Sequence, residues 1–107
     1  MNVITNDPIK CTIALAALEN VMDPEIGLNI VDLGLIAQID FDRTDNKMYV
    51  TMTLTTQFCP MGESITGTCK KVLENTFSGM DVQLELTFDP PWTYERISEE
   101  GRNFLNN

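Results

Sequence analysis

The sequence predicts a small single domain of the α/β (α+β) class, with helices packed on a mixed three-stranded sheet. Two segments place apolar residues at helical spacing, and three others alternate apolar and polar residues as half-buried strands do. The 107 residues suit one domain and contain no repeat, linker or low-complexity segment. We therefore expect one domain over residues 1–107, in the order α-β-β-α-β-α.

The first helix is predicted to begin at Asp7-Pro8, because aspartate is a favoured N-cap and proline a favoured first helical residue. It is expected to end near Asp23-Pro24, because the residue before a proline is disfavoured in the α region. Apolar residues at i, i+3 and i+4 spacing define its buried face, which comprises Cys11, Ala14, Leu15, Leu18, Val21 and Met22.

Residues 23–34 are predicted to form a loop that packs against the core, because proline and glycine occur there among apolar residues. The loop carries three carboxylates, at Asp23, Glu25 and Asp32. On local grounds Asp23 is interpreted as a turn or capping residue, and Glu25 and Asp32 as solvated surface groups.

Two strands are predicted after this loop. Residues 35–42 alternate apolar and polar side chains, residues 43–47 form a polar hairpin connection, and residues 48–56 alternate again. The second strand turns four apolar residues to the core, namely Met48, Val50, Met52 and Leu54. Its threonines are first explained by β-propensity. Only Thr55 and Thr56, beside Cys59 at the end of the strand, are candidate functional residues.

The second helix is predicted from Met61 to Phe77, with Cys69 on its buried face and Ser78-Gly79 at its end. A third strand over residues 82–88 is expected to run parallel to the second, because a strand–helix–strand crossover is normally right-handed and parallel. Its pairing partner in the sheet is left open. Its inward side chains are expected to be Val82, Leu84, Leu86 and Phe88.

Residues 89–93 are expected to leave the sheet in an extended conformation, because proline cannot continue a central ladder. Trp92 is predicted to cover the edge of the core with its N–H towards solvent. A final helical stretch is predicted within residues 94–105, with apolar contacts from Ile97, Phe104 and Leu105.

The composition excludes several classes of function. Sixteen acidic and 7 scattered basic residues give a formal charge of −9, which disfavours binding to nucleic acid or anionic membranes. No apolar run approaches the roughly 20 residues of a membrane span, and the polar N-terminus does not resemble a signal peptide, so we expect a cytoplasmic protein. Histidine is absent, and the three cysteines form no CxxC pair, so neither a Cys-His nucleophile nor a four-cysteine zinc site is present.

Cys59, followed by Pro60 at the predicted strand-to-helix junction, is the one thiol that the apolar pattern does not assign to the core. The helix dipole favours its thiolate, whereas Glu63, and the loop carboxylates if they lie nearby, oppose it. Two mechanisms stay open. Cys59 is either a soft ligand for iron, zinc or a cluster, or a nucleophile with Asp23 or Glu25 as base and Thr55 or backbone N–H groups as an oxyanion site. A ligand or interaction role is preferred, because ordinary carboxylates titrate well below a thiol and make poor bases for it.

Three stretches resemble the SufT/PaaD-like family of iron–sulfur cluster assembly factors. They are residues 23–27 with 29–35, residues 52–56 leading into Cys59-Pro60, and residues 89–93 with 95–98, Gly101 and Arg102. The resemblance covers nearly the whole chain in one order. It implies a cluster-assembly domain, related in fold to the C-terminal scaffold domain of NifU-like proteins, and a non-enzymatic role in maturing or delivering clusters.

The resemblance also implies which residues act. The family's shared pocket would consist of Asp23, Glu25, Thr55, Thr56 and Cys59, and its tail motif would include Trp92 and Arg96. The sequence stops at Asn107 without the cysteine-bearing extension of PaaD-type members, which favours the stand-alone SufT-like branch. Gln57-Phe58 is bulkier than the Pro-Gly common in the family, so we expect narrower access to Cys59.

One cysteine cannot hold a cluster alone, because such a centre typically needs four thiolate ligands. We therefore expect no tightly bound cofactor, and only transient iron or cluster binding at Cys59, completed by a homodimer, a partner or an external thiol. The expected partners are iron–sulfur scaffold or client proteins. Two alternatives remain, a thiol-dependent enzyme using Cys59 with the carboxylate of Asp23 or Glu25, and a metal-free protein adaptor.

Overall fold

The computed structural model describes residues 3–55, 62–89 and 91–106. Over these residues the chain forms three α-helices: α1 (Pro8–Leu18), α2 (Gly62–Thr76) and α3 (Glu99–Leu105). It also forms four strands: β1 (Ile4–Thr5), β2 (Ile36–Asp42), β3 (Lys47–Met52) and β4 (Asp81–Leu86). A 3₁₀ turn at Tyr94–Arg96 precedes α3. No helix in the described ranges is long and apolar enough to cross a membrane.

The strands form one mixed sheet in the order β1-β2-β3-β4, which confirms the predicted fold class. β2 and β3 are antiparallel, and β4 runs parallel to β3, as the crossover through α2 predicted. β4 pairs with β3, a pairing that the sequence did not decide. The sheet has four strands where three were predicted, because β1 pairs in parallel with β2 over only two residues. Such a segment is too short to show a period of two.

The core lies between the helices and one face of the sheet. Its side chains include Leu18 from α1, Ile39 from β2, Val50 from β3 and Leu73 from α2. The loop at residues 23–34 contributes as much as these elements, because Ile30 and Leu33 are completely buried. The predicted packing of this loop against the core is confirmed.

Helix α1 starts where the sequence predicts and ends earlier. The Asp7 carboxylate caps it, with Oδ1 accepting the Lys10 N–H at 3.1 Å. The helix ends at Leu18 and not near Asp23, because the chain turns at residues 19–20 and Met22 then pairs with Asn29 in an antiparallel bridge. Met22 is therefore 51% exposed, although it was predicted on the buried face.

The ends of the two central strands also differ from the prediction. The register of β2 shifts between Ile36 and Gln38, so Ile36 is buried and Ala37 is only partly so, which breaks the alternation predicted there. β3 ends at Met52 and not at Thr56, which lies outside the described residues. Thr53 is buried, contrary to prediction, and its N–H donates to the Leu35 carbonyl at 2.8 Å.

Helix α2 follows the predicted course, and β4 begins one residue before the predicted strand and ends two residues before its predicted end at residue 88. Gly62–Thr76 matches the predicted helix within one residue at each end, and Gly79 has a φ of 90°, as expected of a glycine after a helix. The predicted first residue, Met61, lies outside the described residues. On β4, Val82 is buried but Leu86 is 39% exposed, because β4 is an edge strand.

The C-terminal tail departs most from its prediction. The Trp92 Nε1–H does not face solvent but donates to the Leu33 carbonyl oxygen at 2.6 Å. The predicted final helix is divided at Ser98, whose Oγ accepts the Gly101 N–H at 3.0 Å and caps α3. Ile97 is buried as predicted, whereas Phe104 is 56% exposed and is not the apolar contact that was expected.

Further bonds tie this tail to the loop. The Arg96 Nε–H donates to the Gly34 carbonyl oxygen at 2.8 Å. Ser98 donates twice to Asp32, from its N–H to the backbone carbonyl at 2.8 Å and from its Oγ to the carboxylate at 2.8 Å. We call the contact of residues 92–98 with residues 32–34 the tail clasp.

Gly34 allows the close approach in the tail clasp. Its φ is 76°, and a Cβ added to it would overlap the Arg96 carbonyl oxygen. Gly27 has a similar φ of 80°, but a Cβ there would meet nothing within 4 Å. Substituting each glycine by alanine therefore distinguishes the free-energy cost of the left-handed backbone from the free-energy cost of the steric clash.

We expect Gly34→Ala to destabilise the protein far more than Gly27→Ala. A left-handed alanine costs about 1 kcal/mol, which is the effect predicted for Gly27→Ala. The clash with Arg96 should bring the cost of Gly34→Ala to about 3 kcal/mol or more. Urea unfolding of both variants measures the difference, and equal losses of unfolding free energy would show that the close approach of Gly34 to Arg96 adds no cost to the substitution.

Candidate functional site

The described residues hold only part of the predicted pocket. Asp23 and Glu25 lie on the loop after α1, and Thr55 is a partly buried residue at a bend after β3. Thr56 and Cys59 lie outside the described residues, and so does the bulky Gln57-Phe58 segment. Trp92 and Arg96, predicted as tail residues, lie in the tail clasp and not in the pocket.

Asp23 is a buried, turn-forming residue, with 2% of its surface exposed. Its Oδ1 accepts the backbone N–H groups of Glu25 at 2.8 Å and Ile26 at 3.2 Å. Its own carbonyl accepts the Gly27 N–H at 2.8 Å. Backbone donors thus stabilise the charge that burial would otherwise penalise. The interpretation of Asp23 as a turn residue agrees with this geometry.

The other two loop carboxylates have different surroundings. Glu25 is exposed on the turn that Asp23 forms. Asp32 is not a solvated surface group, because its Oδ2 accepts the Asn29 Nδ2–H at 2.7 Å and its Oδ1 the Ser98 hydroxyl at 2.8 Å. In the described part of the chain, no group of three or more Cys, Asp or Glu side chains is placed to hold a metal ion.

A cleft of about 330 Å³ separates this loop from the first half of α2. Met22 and Pro24 line it on the loop side, and Ser64 and Thr68 line it on the α2 side. Pro24 stands between Asp23 and Glu25 in the sequence, so the cleft borders the predicted carboxylate pair. Cys59, the other half of the predicted pocket, lies outside the described residues.

The two cysteines within the described residues are buried in the core. Cys11 and Cys69 are both buried and free of disulfides, as the apolar pattern predicted. Burial raises the pKa of the Cys11 thiol above its ordinary value, and it raises the pKa of Cys69 to about 12. Neither thiol provides a thiolate at neutral pH. Cys11 and Cys69 are therefore poor candidates for thiol chemistry.

Two features of this region were not predicted from the sequence. The bond between Asp32 and Ser98 joins residues far apart in sequence, although the Ser98-Glu99-Glu100-Gly101 order does signal the N-cap that orients the serine. The exposure of Met22 follows from its bridge to Asn29, for which the sequence offers no local signal.

Comparison with known proteins places this geometry in context. The profile of a family described as iron–sulfur cluster assembly protein matches residues 13–86. The chain is 39% identical over 88 residues to the Fe–S protein maturation auxiliary factor YitW of Bacillus subtilis, covering 82% of this chain and 85% of that one. It is 38% identical over 82 residues to the Fe–S protein maturation auxiliary factor SufT of Staphylococcus aureus, covering 77% of this chain and 92% of that one.

A solved structure has the same fold. It is a domain of unknown function, DUF59, from Bacillus anthracis, with a TM-score of 0.83 and 35% sequence identity. The alignment covers 89% of this chain and 90% of that one. The similarity thus extends beyond the fold to sequence, over most of both proteins.

The burial of two thiols predicts how the three cysteines react with iodoacetamide. In the native protein at pH 7.5, we expect only the peptide containing Cys59 to be alkylated quickly, because roughly one in 10⁴ Cys69 thiols or fewer is ionised there. Mass spectrometry of the digested protein measures each rate. A Cys59→Ser variant should retain no fast-reacting thiol, and fast alkylation of Cys11 or Cys69 would contradict the burial described here.

The turn at Asp23 predicts a difference between two substitutions. Asp23→Ala removes the oxygen that accepts two backbone N–H groups and should cost about 2 kcal/mol of unfolding free energy. Asp23→Asn keeps an oxygen acceptor and should cost less than about 1 kcal/mol. Thermal and urea unfolding measure both. Equal destabilisation by the two variants would mean that the charge, and not the turn geometry, is what the fold requires.

Proposed function

Because the chain belongs to the family of iron–sulfur cluster assembly proteins, we propose that it is an accessory factor that helps assemble clusters or deliver them to client proteins. We propose a working site around Cys59, with Asp23, Glu25, Thr55 and Thr56 as its neighbours. The observation that supports this proposal is the burial of Cys11 and Cys69, which makes both of them poor ligands for a soft metal and favours the third cysteine.

The cluster is cargo in this proposal and not a resident cofactor. One thiolate supplies a quarter of the ligands that an iron–sulfur centre typically has, and the described residues contain no cluster of further ligands. The remaining thiolates would come from a scaffold, a client, a second copy of the chain or a small thiol. Incomplete ligation suits transfer, because a shared cluster leaves as soon as the receiving protein offers a full set of ligands.

The carboxylates have separate roles in this proposal. Asp23 shapes the turn, since its Oδ1 is already engaged by two backbone N–H groups. Glu25 is exposed next to Pro24 at the cleft, so its carboxylate is accessible to an incoming iron or partner. We propose that Glu25 assists Cys59 during transfer.

The geometry of Asp23 weakens the alternative of a thiol-dependent enzyme. A general base must reach the proton it removes, and Asp23 is only 2% exposed, with Oδ1 accepting two backbone N–H groups. That mechanism would leave Glu25 as the base, and carboxylates as a class are much weaker bases than a thiolate. A metal-free adaptor role is the remaining alternative, and iron binding by Cys59 variants distinguishes it from the proposed site.

Anaerobic reconstitution with iron, sulfide and dithiothreitol tests the working site. We expect the wild type and a Cys69→Ala control to bind iron in buffer that still contains dithiothreitol, and Cys59→Ser to bind less than a tenth of it, because serine is a poor ligand for iron–sulfur clusters. If Cys59→Ser binds as much iron as the wild type, Cys59 is not an iron ligand. If Cys59→Ala then supports the activity of iron–sulfur enzymes in cells as well as the wild type does, the adaptor role is the correct one.

A further inference from the structure

We propose that the outer face of α1, together with the cleft at its C-terminal end, is a docking surface for a basic amphipathic helix of the partner protein. This inference deepens the proposed function, on which it rests for the identity of the partner as a scaffold or client. Its apolar residues lie outside the predicted Cys59 pocket, and Glu25 alone is shared by the two, so substitutions on α1 test the surface separately.

The outer face of α1 is apolar although it faces solvent. Ile9 is 77% exposed, Ile13 is 48% exposed, and Ala16 is exposed one turn further on. These positions follow i, i+4, i+7 spacing and lie opposite the buried residues Cys11 and Leu18. A helix that is apolar on both faces normally buries both. The described residues cover only one of them, so we take the other to be available to a partner.

This face is continuous with the cleft. Asn20 continues the exposed line beyond the end of α1 and also lines the cleft, beside Met22, which is 51% exposed. Buried Val21 and Ile65 also line the cleft, so its lining includes apolar core residues. The 11 residues of α1 span about 16 Å, which is the length of three turns of a helix laid along it. The shape therefore suits a helix whose last apolar side chain enters the cleft.

The charges around the cleft indicate the chemistry of that helix. Three exposed carboxylates stand next in sequence to lining residues, namely Glu19, Glu25 and Glu63. The single ion pair among the described residues, Arg43 with Asp7 at 2.9 Å, is at the opposite end of α1. Along α2, basic residues begin only at Lys70, beyond the lining residues. A partner helix with lysine or arginine beside its apolar face would match both the apolar centre and the acidic rim.

A second copy of the chain fits this surface poorly. Each copy carries a formal charge of −9, so two copies repel each other. A second copy also brings no excess of basic residues to the acidic rim, since the chain has 7 basic residues in total and they are scattered.

Fluorescence anisotropy with a labelled 16-residue leucine–lysine amphipathic peptide tests the docking surface. We expect Ile13→Gln to weaken binding about fivefold or more and Phe104→Gln, an equally exposed apolar site on α3, to change it less than twofold. The triple variant Glu19→Gln/Glu25→Gln/Glu63→Gln should weaken binding about tenfold. The control Glu85→Gln/Glu95→Gln/Glu99→Gln has the same net charge and should bind like the wild type.

Three results would overturn this inference. Equal effects of the two triple variants would mean that only net charge attracts the peptide. Equal binding of a leucine–glutamate peptide would show that the partner helix does not need to be basic. A wild-type dimer in sedimentation that Ile13→Gln dissociates would identify a second copy as the occupant.

Activity of iron–sulfur enzymes in cells distinguishes this inference from the proposed function. If Cys59→Ser abolishes the activity and Ile13→Gln changes neither the activity nor peptide binding, the docking surface fails and the working site stands. If Ile13→Gln lowers both and Cys59→Ser has no effect, the working site fails and the docking surface stands.

Discussion

Three successive backbone carbonyls, those of Asp32, Leu33 and Gly34, accept hydrogen bonds from three residues of the C-terminal tail. The loop that carries them is committed to the core by the complete burial of Leu33 and its neighbours, so these carbonyls are held away from bulk water and need partners. Ser98, Trp92 and Arg96 supply those partners. The tail is thereby part of the loop's own structure, although some sixty residues separate them in sequence.

The clasp has consequences for the site. Residues 30–35 anchor the loop from one side, and the bridge between Met22 and Asn29 closes it from the other. Between these anchors, the carboxylate of Asp23 fixes the turn that presents Glu25 and Pro24. Trp92 and Arg96 therefore act by positioning this loop. A tail motif that resemblance groups with function proves to support the fold around the proposed site.

The three cysteines of the chain fall into two groups. Two thiols are buried and have raised pKa values, so they serve packing, and the third lies at a strand-to-helix junction in the sequence. In the function proposed for this chain, docking on α1 and ligation at Cys59 would be two parts of one encounter with another protein's cluster.

The sequence by itself determined the features with local causes, such as the Asp7 cap, the hairpin at residues 43–46, helix α2 with buried Cys69, and the family through motifs at fixed positions. Tertiary structure alone decided the early end of α1, the register shift that buries Ile36, and the partners of Trp92 and Asp32. The reason is physical. Caps and periodicity follow from neighbours within a turn of the chain, whereas a buried carbonyl or carboxylate takes whichever donor the folded chain brings to it.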